Sequence, residues 1–403
     1  MTAIAHAAWG APLDPAARTR LQDWRRALHA EPELSLCEHD TQSYLAAQLA
    51  GLGLQATALA QTGLVVRLGR GESGRVLLLR ADMDALPIHE ESSLAFASRR
   101  PGKMHACGHD AHMACLLAVA ERLAALAPSI DGTVLLAFQP GEEEGQGAVR
   151  MIEAGLLDGR WCNDPALRVQ AALGLHVWSR LPTAVVSACA GPVMATVDDF
   201  TITVHGRGGH GALPHQTRDA IVAAAAVVQA LQTLPSRQVD PLEPLVVSVG
   251  SIQGGSAYNV IAEQVVLRGT VRSYGKQVAA HLPQALETTA RGAAAALGCE
   301  ATVDYRRYTI ALHNDAAMVE LVAAAASATA SVRSVDRHLR MMAGEDFAFF
   351  ADAVPACFFF VGCGGPEGDA EPHHSPRFVI DEAALATGAE VMLAAAERWF
   401  RLG

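Results

Sequence analysis

Thr133-Val134-Leu135-Leu136-Ala137-Phe138-Gln139-Pro140-Gly141-Glu142-Glu143-Glu144-Gly145 reads as a buried strand running straight into a turn and three acids. A short unbroken apolar run bounded by turn residues is the pattern of a strand covered on both faces. The same arrangement recurs twice. Arg75–Arg80 is apolar and leads into Asp82-Met83-Asp84, and Val169–Leu175 leads into His176. Helical spacing surrounds these strands over residues 14–30, 39–52 and about 111–126, and a strand at Cys357–Val361 precedes a last helix from Asp381 to Phe400. Strands alternating with helices predict an α/β fold whose sheet is mixed but mainly parallel, with helices on both faces. Sites in such sheets lie beyond the carboxyl ends of the strands. Asp82, Asp84, Glu142, Glu143 and His176 are therefore expected together, just past three strand ends.

The middle of the chain has a different character. Phe200-Thr201-Ile202-Thr203-Val204 alternates like a half-exposed strand. A helix near 218–234, strands near 245–252 and 264–272, a helix near 278–297 and a strand near 301–305 follow. The order β-α-β-β-α-β predicts an inserted ferredoxin-like α+β sandwich. Two domains are expected: 1–191 with 308–403, and an insert at 192–307. Gly191-Pro192 and the region near Arg306 are the expected hinges.

Composition narrows the function classes. A chain of 403 residues suits two or three domains at roughly 150 residues each. Apolar residues make up 51% and charged ones 18%, enough for real cores. A net charge of −11, with Lys103 and Lys276 as the only lysines, argues against a nucleic-acid surface. Met1–Gly10 lacks the flanks of a secretory signal, and no unbroken apolar run of about 18 residues marks a membrane span. The eight cysteines are scattered rather than framed for disulfides, which suits a reducing cytoplasm.

Chemistry concentrates in Met104-His105-Ala106-Cys107-Gly108-His109-Asp110-Ala111-His112. Thiolate and imidazole are ordinary ligands of zinc and similar ions. Gly108 permits a tight loop that aims Cys107 and His109 inward. Of the neighbouring acids Glu142 and Glu143, one suits a ligand and the other a general base, with Glu144 as a solvated loop residue. His176 and the pair His373-His374 complete the candidates. His105, His112, His205 and His215 read as capping or loop residues.

These stretches, together with Arg80–Pro87, Gly174–Trp178, Gly208–His215, Asn259-Val260-Ile261, Gly344–Phe347 and His374-Ser375-Pro376, occur in order from about His29 almost to the C-terminus. The chain so resembles the di-metal amidohydrolases of the aminoacylase, hippurate hydrolase and auxin-conjugate hydrolase family, with a zinc-exopeptidase-like fold. The resemblance implies Cys107, His109, Glu143, His176 and His374 as metal ligands, with Cys107 bridging two divalent ions (Zn, Mn, Co or Ni). It implies Glu142 as catalytic base, Asp84 as the carboxylate that orients the site, and Asp110 as a further support. His210 and Asn259 match residues that approach the substrate and the oxyanion, in some relatives from a neighbouring subunit, and the insert is a lid and dimerisation domain through which a homo-oligomer forms. The implied substrate is a small N-acyl or N-aroyl amino acid of hippurate type, with a dipeptidase or aminopeptidase as the alternative on the same scaffold. Nucleic acid and membrane are not expected partners. Relatives usually carry Gly where this chain has Glu144, and Pro where it has Ala262.

Overall fold

The computed structural model describes residues 9–402; the reading of Met1–Gly10 falls mostly on residues 1–8, outside the described ones. The chain divides into two compact units. One comprises residues up to Gly191, His313–Arg340 and Asp346 onward; the other comprises Pro192–Leu312 and Met341–Glu345.

The first unit is built on an eight-stranded sheet. Its spatial order is Ala56–Leu59, Gly63–Leu68, Thr133–Gln139, Val76–Asp82, Ala171–Trp178, Ala356–Gly362, Val185–Ser187 and Ser334–Asp336. The four central strands run parallel to one another, and every residue of three of them is buried. That burial on both faces explains why these strands read as continuous apolar runs. Antiparallel pairing enters through Gly63–Leu68 on one side and Val185–Ser187 on the other.

Side chains alternate across the central strands. Leu77, Leu79, Ala81, Val134, Leu136, Phe138, Leu173 and Leu175 join the core under the long helices Pro15–Ala30, His109–Leu126 and Ala383–Arg401. The short helices Gly147–Glu153 and Ala348–Ala353 pack against each other and on strands of this sheet. There Phe347, Phe350, Phe358 and Phe360 form a chain of ring contacts at 5.2–5.7 Å. Helix His109–Leu126 extends to Ser129 and is long and apolar enough to cross a membrane by composition, yet it is mostly buried. Here it is the central core helix.

His176 was expected past a strand end. It lies inside its strand, because pairing continues through Val177↔Val361 and Trp178↔Gly362. Asp82 likewise closes its strand, opposite Gln139.

The second unit holds an antiparallel sheet in the order Leu245–Gly254, Gln264–Ser273, Val197–His205 and Glu300–Thr309. Helices Ala220–Leu231 and Lys276–Ala296 cover one face, over Phe200, Ile202, Val204, Val265, Leu267 and Val271. This is the strand order of the split βαβ sandwich. The unit runs on to Leu312 rather than 307 because the last strand continues to Thr309 beside Val197.

Candidate metal centre and active site

Gly108 sets the loop that carries Cys107 and His109. Its φ is +88°, and a Cβ there would meet Val177 Cγ2 at 2.4 Å, so only glycine fits. The turn caps helix His109–Leu126, whose first residue is His109.

Two donor groups form in the first unit. Ligand-type atoms of Cys107, His109 and His176 lie within 4.8 Å of one another, and so do those of Cys107, Glu143 and His374. Cys107 belongs to both. Its Sγ is 3.5 Å from His176 Nε2. His176 Nδ1–H donates to the Val177 carbonyl at 2.6 Å, which leaves Nε2 with its lone pair toward the thiol. His374 Nε2 stands 3.6 Å from Glu143 Oε1; the His374 N–H donates to the Ala106 carbonyl at 2.9 Å, tying two donor segments together.

His109 Nε2 faces Asp82, Glu142 and Glu143 at 3.6, 3.9 and 4.0 Å, and Nδ1 is 3.3 Å from Asp84 Oδ1. Burial alone would depress this imidazole, but Asp82 and Asp84 outweigh it and hold it at about 10. Burial, reinforced by Asp84 and Asp82 against the pull of His109, pushes Glu143 up to about 7. The pocket is thus short of positive charge, the condition a divalent cation relieves. Nε2 of His109 and Oε1 of Glu143 are buried without a hydrogen-bond partner, a costly state that metal coordination would satisfy. The donors present therefore fit divalent metal ions.

Asp84 orders the acids. Its two oxygens accept the N–H groups of Glu142 (3.1 Å) and Glu143 (2.9 Å), and Ser35 donates to Oδ2 at 2.6 Å. Glu144 is exposed.

Two of the histidines expected as capping or loop residues, His112 and His105, are instead buried. His112 is fully buried: Nδ1 meets Asp82 at 2.6 Å, and Nε2 accepts the Val177 N–H at 2.9 Å. With both nitrogens engaged it has no lone pair to offer a metal, although it lies beside Asp82 and His109. His105 is fully buried with neither nitrogen bonded, so it caps nothing, and it belongs to neither donor group. His373 stacks on Trp178 with ring centroids 4.4 Å apart, and its Nε2–H donates to Val177 O at 3.0 Å, whereas His374 Nε2 faces Glu143. Asp110 was expected to support the ligands. It turns away to Arg25 Nε (3.0 Å) and His29 Nδ1 (2.9 Å) and anchors the helix start instead.

Sequence reasoning placed Asp82 beside the site without giving it a role, and it passed over Gln139 and Asp346. Arg80 donates to Asp82 at 2.8 Å and to Asp346 at 3.0 Å, Gln139 donates to Asp346 at 2.8 Å, and all four are fully buried beneath the acid turn. Part of the signal was available: Arg80 and Asp82 are charged residues inside a strand that otherwise reads as core.

In the second unit, Gly209–His210 pairs with Val260–Ile261, with His210 opposite Val260, and the Gly211 N–H donates to the Asn259 carbonyl at 2.8 Å. The pair brings His210 and Asn259 side by side. His210 Nδ1 accepts the Ala212 N–H at 3.0 Å, so the neutral ring carries its proton on Nε2. Arg272 has a buried Nη1 with no hydrogen-bond partner.

Sulfur, imidazole and carboxylate donors gathered beside an open, mainly parallel sheet suit a metal centre. The profile of peptidase family M20/M25/M40 matches residues 78–398, and the chain belongs to that family. It is 39% identical over 375 residues to a Bacillus subtilis N-acetyl-L-cysteine deacetylase (93% of this chain, 86% of the relative). It is 43% identical over 283 residues to a Geobacillus stearothermophilus N-acyl-L-amino acid amidohydrolase (70% and 74%). A Bacillus subtilis structure described as a dinuclear metal-binding peptidase of the M20 family superposes with a TM-score of 0.82 at 33% identity, covering 96% of this chain and 99% of the other. The chain is a metal-dependent amidohydrolase with a centre for two divalent ions.

Proposed function

We propose that the enzyme hydrolyses the amide bond of N-acyl or N-aroyl amino acids, hippurate-like compounds included, to a carboxylic acid and a free amino acid. The observation that carries this is the pair of donor groups sharing Cys107, with Glu142 beside them. Cys107, His109 and His176 would hold one ion, and Cys107, Glu143 and His374 the other. When bound, the ions supply Lewis acidity that polarises the amide carbonyl and makes water a stronger acid. Thiolate with imidazole favours zinc; manganese, cobalt and nickel suit the same donors.

Glu142 takes a proton from the attacking water on a carboxylate oxygen and returns it to the leaving nitrogen. Asp84 keeps Glu142 and Glu143 in register through their N–H groups. His210, with its Nε2–H free to donate, and Asn259 serve the developing oxyanion. The orphan Nη1 of Arg272 suits the substrate's α-carboxylate, which every N-acyl amino acid retains.

The second unit acts as lid and dimerisation domain. Strand Leu245–Gly254 is an edge of its sheet, and Ile221, Val222, Ile252 and Val260 are exposed. Such an edge with apolar neighbours favours pairing with a second copy, read directly by light scattering. Eight free cysteines, one of them a proposed ligand, suit the cytoplasm.

The test is a panel of N-acetyl, N-benzoyl and indole-acetyl amino acids beside dipeptides, with each metal restored after chelation. Turnover of acylated amino acids is expected. Turnover confined to dipeptides would replace this reading with a peptidase.

A further inference from the structure

The three successive N–H groups of Gly141, Glu142 and Glu143 all end on buried carboxylates from other segments. Asp84 takes the second and third. Glu38 takes the first, Gly141 N to Oε1 at 2.9 Å, and its other oxygen accepts the Thr62 hydroxyl at 2.5 Å. Glu38 is fully buried, which is expensive for a carboxylate without such partners. Its position is informative. It stands at the N-cap of helix His39–Gly51 yet makes no side-chain cap to that helix, where Ser, Thr, Asp or Asn would ordinarily serve. The carboxylate is directed instead across 103 residues of sequence to the turn that carries the acids.

The surrounding loop repeats the pattern. Ser35 donates to Asp84, the Ala85 N–H donates to the Glu33 carbonyl at 2.8 Å, and Leu36 packs where a Cβ on Gly141 would collide, 2.8 Å from its Cδ2. Residues 33–38 therefore brace both the Asp84 segment and the Gly141 turn.

We infer that Glu38 is a positioning residue for Glu142: by holding the Gly141 N–H it sets the turn that aims the base. This rests on the reading of Glu142 as the base. The Glu38 carboxylate accepts from the Gly141 N–H and the Thr62 hydroxyl and belongs to neither donor group, so its effect falls on kcat through the placement of Glu142.

Three variants of the full-length holoenzyme test this. Glu38→Ala should lower kcat on the order of ten- to a hundredfold, the usual scale for a small misplacement of a catalytic group, with KM changed by less than about twofold and metal content unaltered. Glu38→Gln should keep most of kcat, since the amide oxygen still accepts from Gly141 while its NH2 donates to the Thr62 oxygen. Thr62→Val removes the other partner and serves as the stability control, with kcat near wild type. Hydrogen exchange of the peptide 138–146 in the same proteins should speed up in Glu38→Ala alone. Normal kcat in Glu38→Ala, or parallel kcat losses in Glu38→Ala and Thr62→Val, would overturn the inference. If no amide in the panel is cleaved by wild type, the reading of Glu142 fails, and the exchange rates still judge whether Glu38 holds the turn. If Glu142→Gln is inactive while Glu38→Ala turns over normally, Glu38 alone loses its role.

Discussion

The two units hold their functional side chains in opposite ways. In the first, His109 and His176 are buried, Cys107 and Glu143 partly so and only His374 exposed, and each supporting group is held by more than one partner. Asp84 accepts three hydrogen bonds, Asp110 lies between Arg25 and His29, and Asp82 lies between Arg80 and His112. In the second, His210 sits on a two-residue strand pair and Asn259 just before its partner strand, and both are exposed. A centre that must present several donors to small cations needs rigid support. Groups that meet a variable substrate need only a fixed tautomer and access. Substitutions in the first unit should therefore cost stability or chemistry steeply, whereas those in the second should cost rate or binding with the fold intact.

The largest effect is expected at Glu142. Glu142→Gln keeps the shape and removes the base, so turnover should fall by about 10²- to 10⁴-fold while metal content, read by mass spectrometry, stays at wild type. Near-normal turnover would remove Glu142 from its role. Next comes the Arg25–Asp110 pair, each partner about 1% exposed. Arg25→Ala leaves Asp110 buried with less compensation and should cost about 3–5 kcal/mol in denaturant unfolding.

The neighbouring imidazole makes that region sensitive to pH. Burial would lower His29, but Asp110 and Glu90 outweigh it and raise it to about 9 from 6.5. A raised histidine stabilises fully below its unfolded value, and the contribution is lost as pH climbs through the folded one. Glu90 is opposite in sense: burial would raise it, yet His29, Ser92 and the Ser98 N–H hold it at about 2, so its contribution is present above 4.5 and fades as pH falls toward 2. Stability should decline from about pH 6.5 to 9, and His29→Gln should flatten that slope. A slope unchanged in the variant would assign the dependence elsewhere.

In the second unit the expected losses are smaller and of another kind. His210→Ala should reduce kcat about 10²-fold, as removal of an oxyanion donor does, with unfolding midpoints unchanged. A large loss of stability there would break the contrast between the units. Arg272→Met should raise KM by about tenfold, as expected for loss of a charge-assisted contact, for N-acyl amino acids and not for their carboxamides. Equal effects on both would detach Arg272 from the carboxylate.

Legibility in the sequence followed the same division. The central strands were plain because burial on both faces leaves an unbroken apolar run, as in Thr133–Gln139. The strands Ala56–Leu59 and Gly63–Leu68 were missed: the first is a short, half-exposed edge, and the second pairs with Thr133–Gln139, a distant partner. The short helices Gly147–Glu153 and Ala348–Ala353 were missed as well, since six or seven residues hold too little periodicity to read. Among site residues, the donors stood out because thiol, imidazole and carboxylate side chains interrupt apolar runs. Glu38 did not, since a lone acid before a helix reads as a cap.

By itself the sequence determined the kind of fold, the order of its strands along the chain, and the stretches where donors and base lie. Those properties rest on local patterns of polarity and chemistry. Tertiary structure alone decided which of several equivalent side chains does what. His112 spends both nitrogens on Asp82 and Val177, Asp110 turns to Arg25, and Glu38 reaches Gly141. Each of these choices is a hydrogen bond between segments far apart in the chain. Only the folded sheet, which brings the ends of several strands together, makes those partners neighbours.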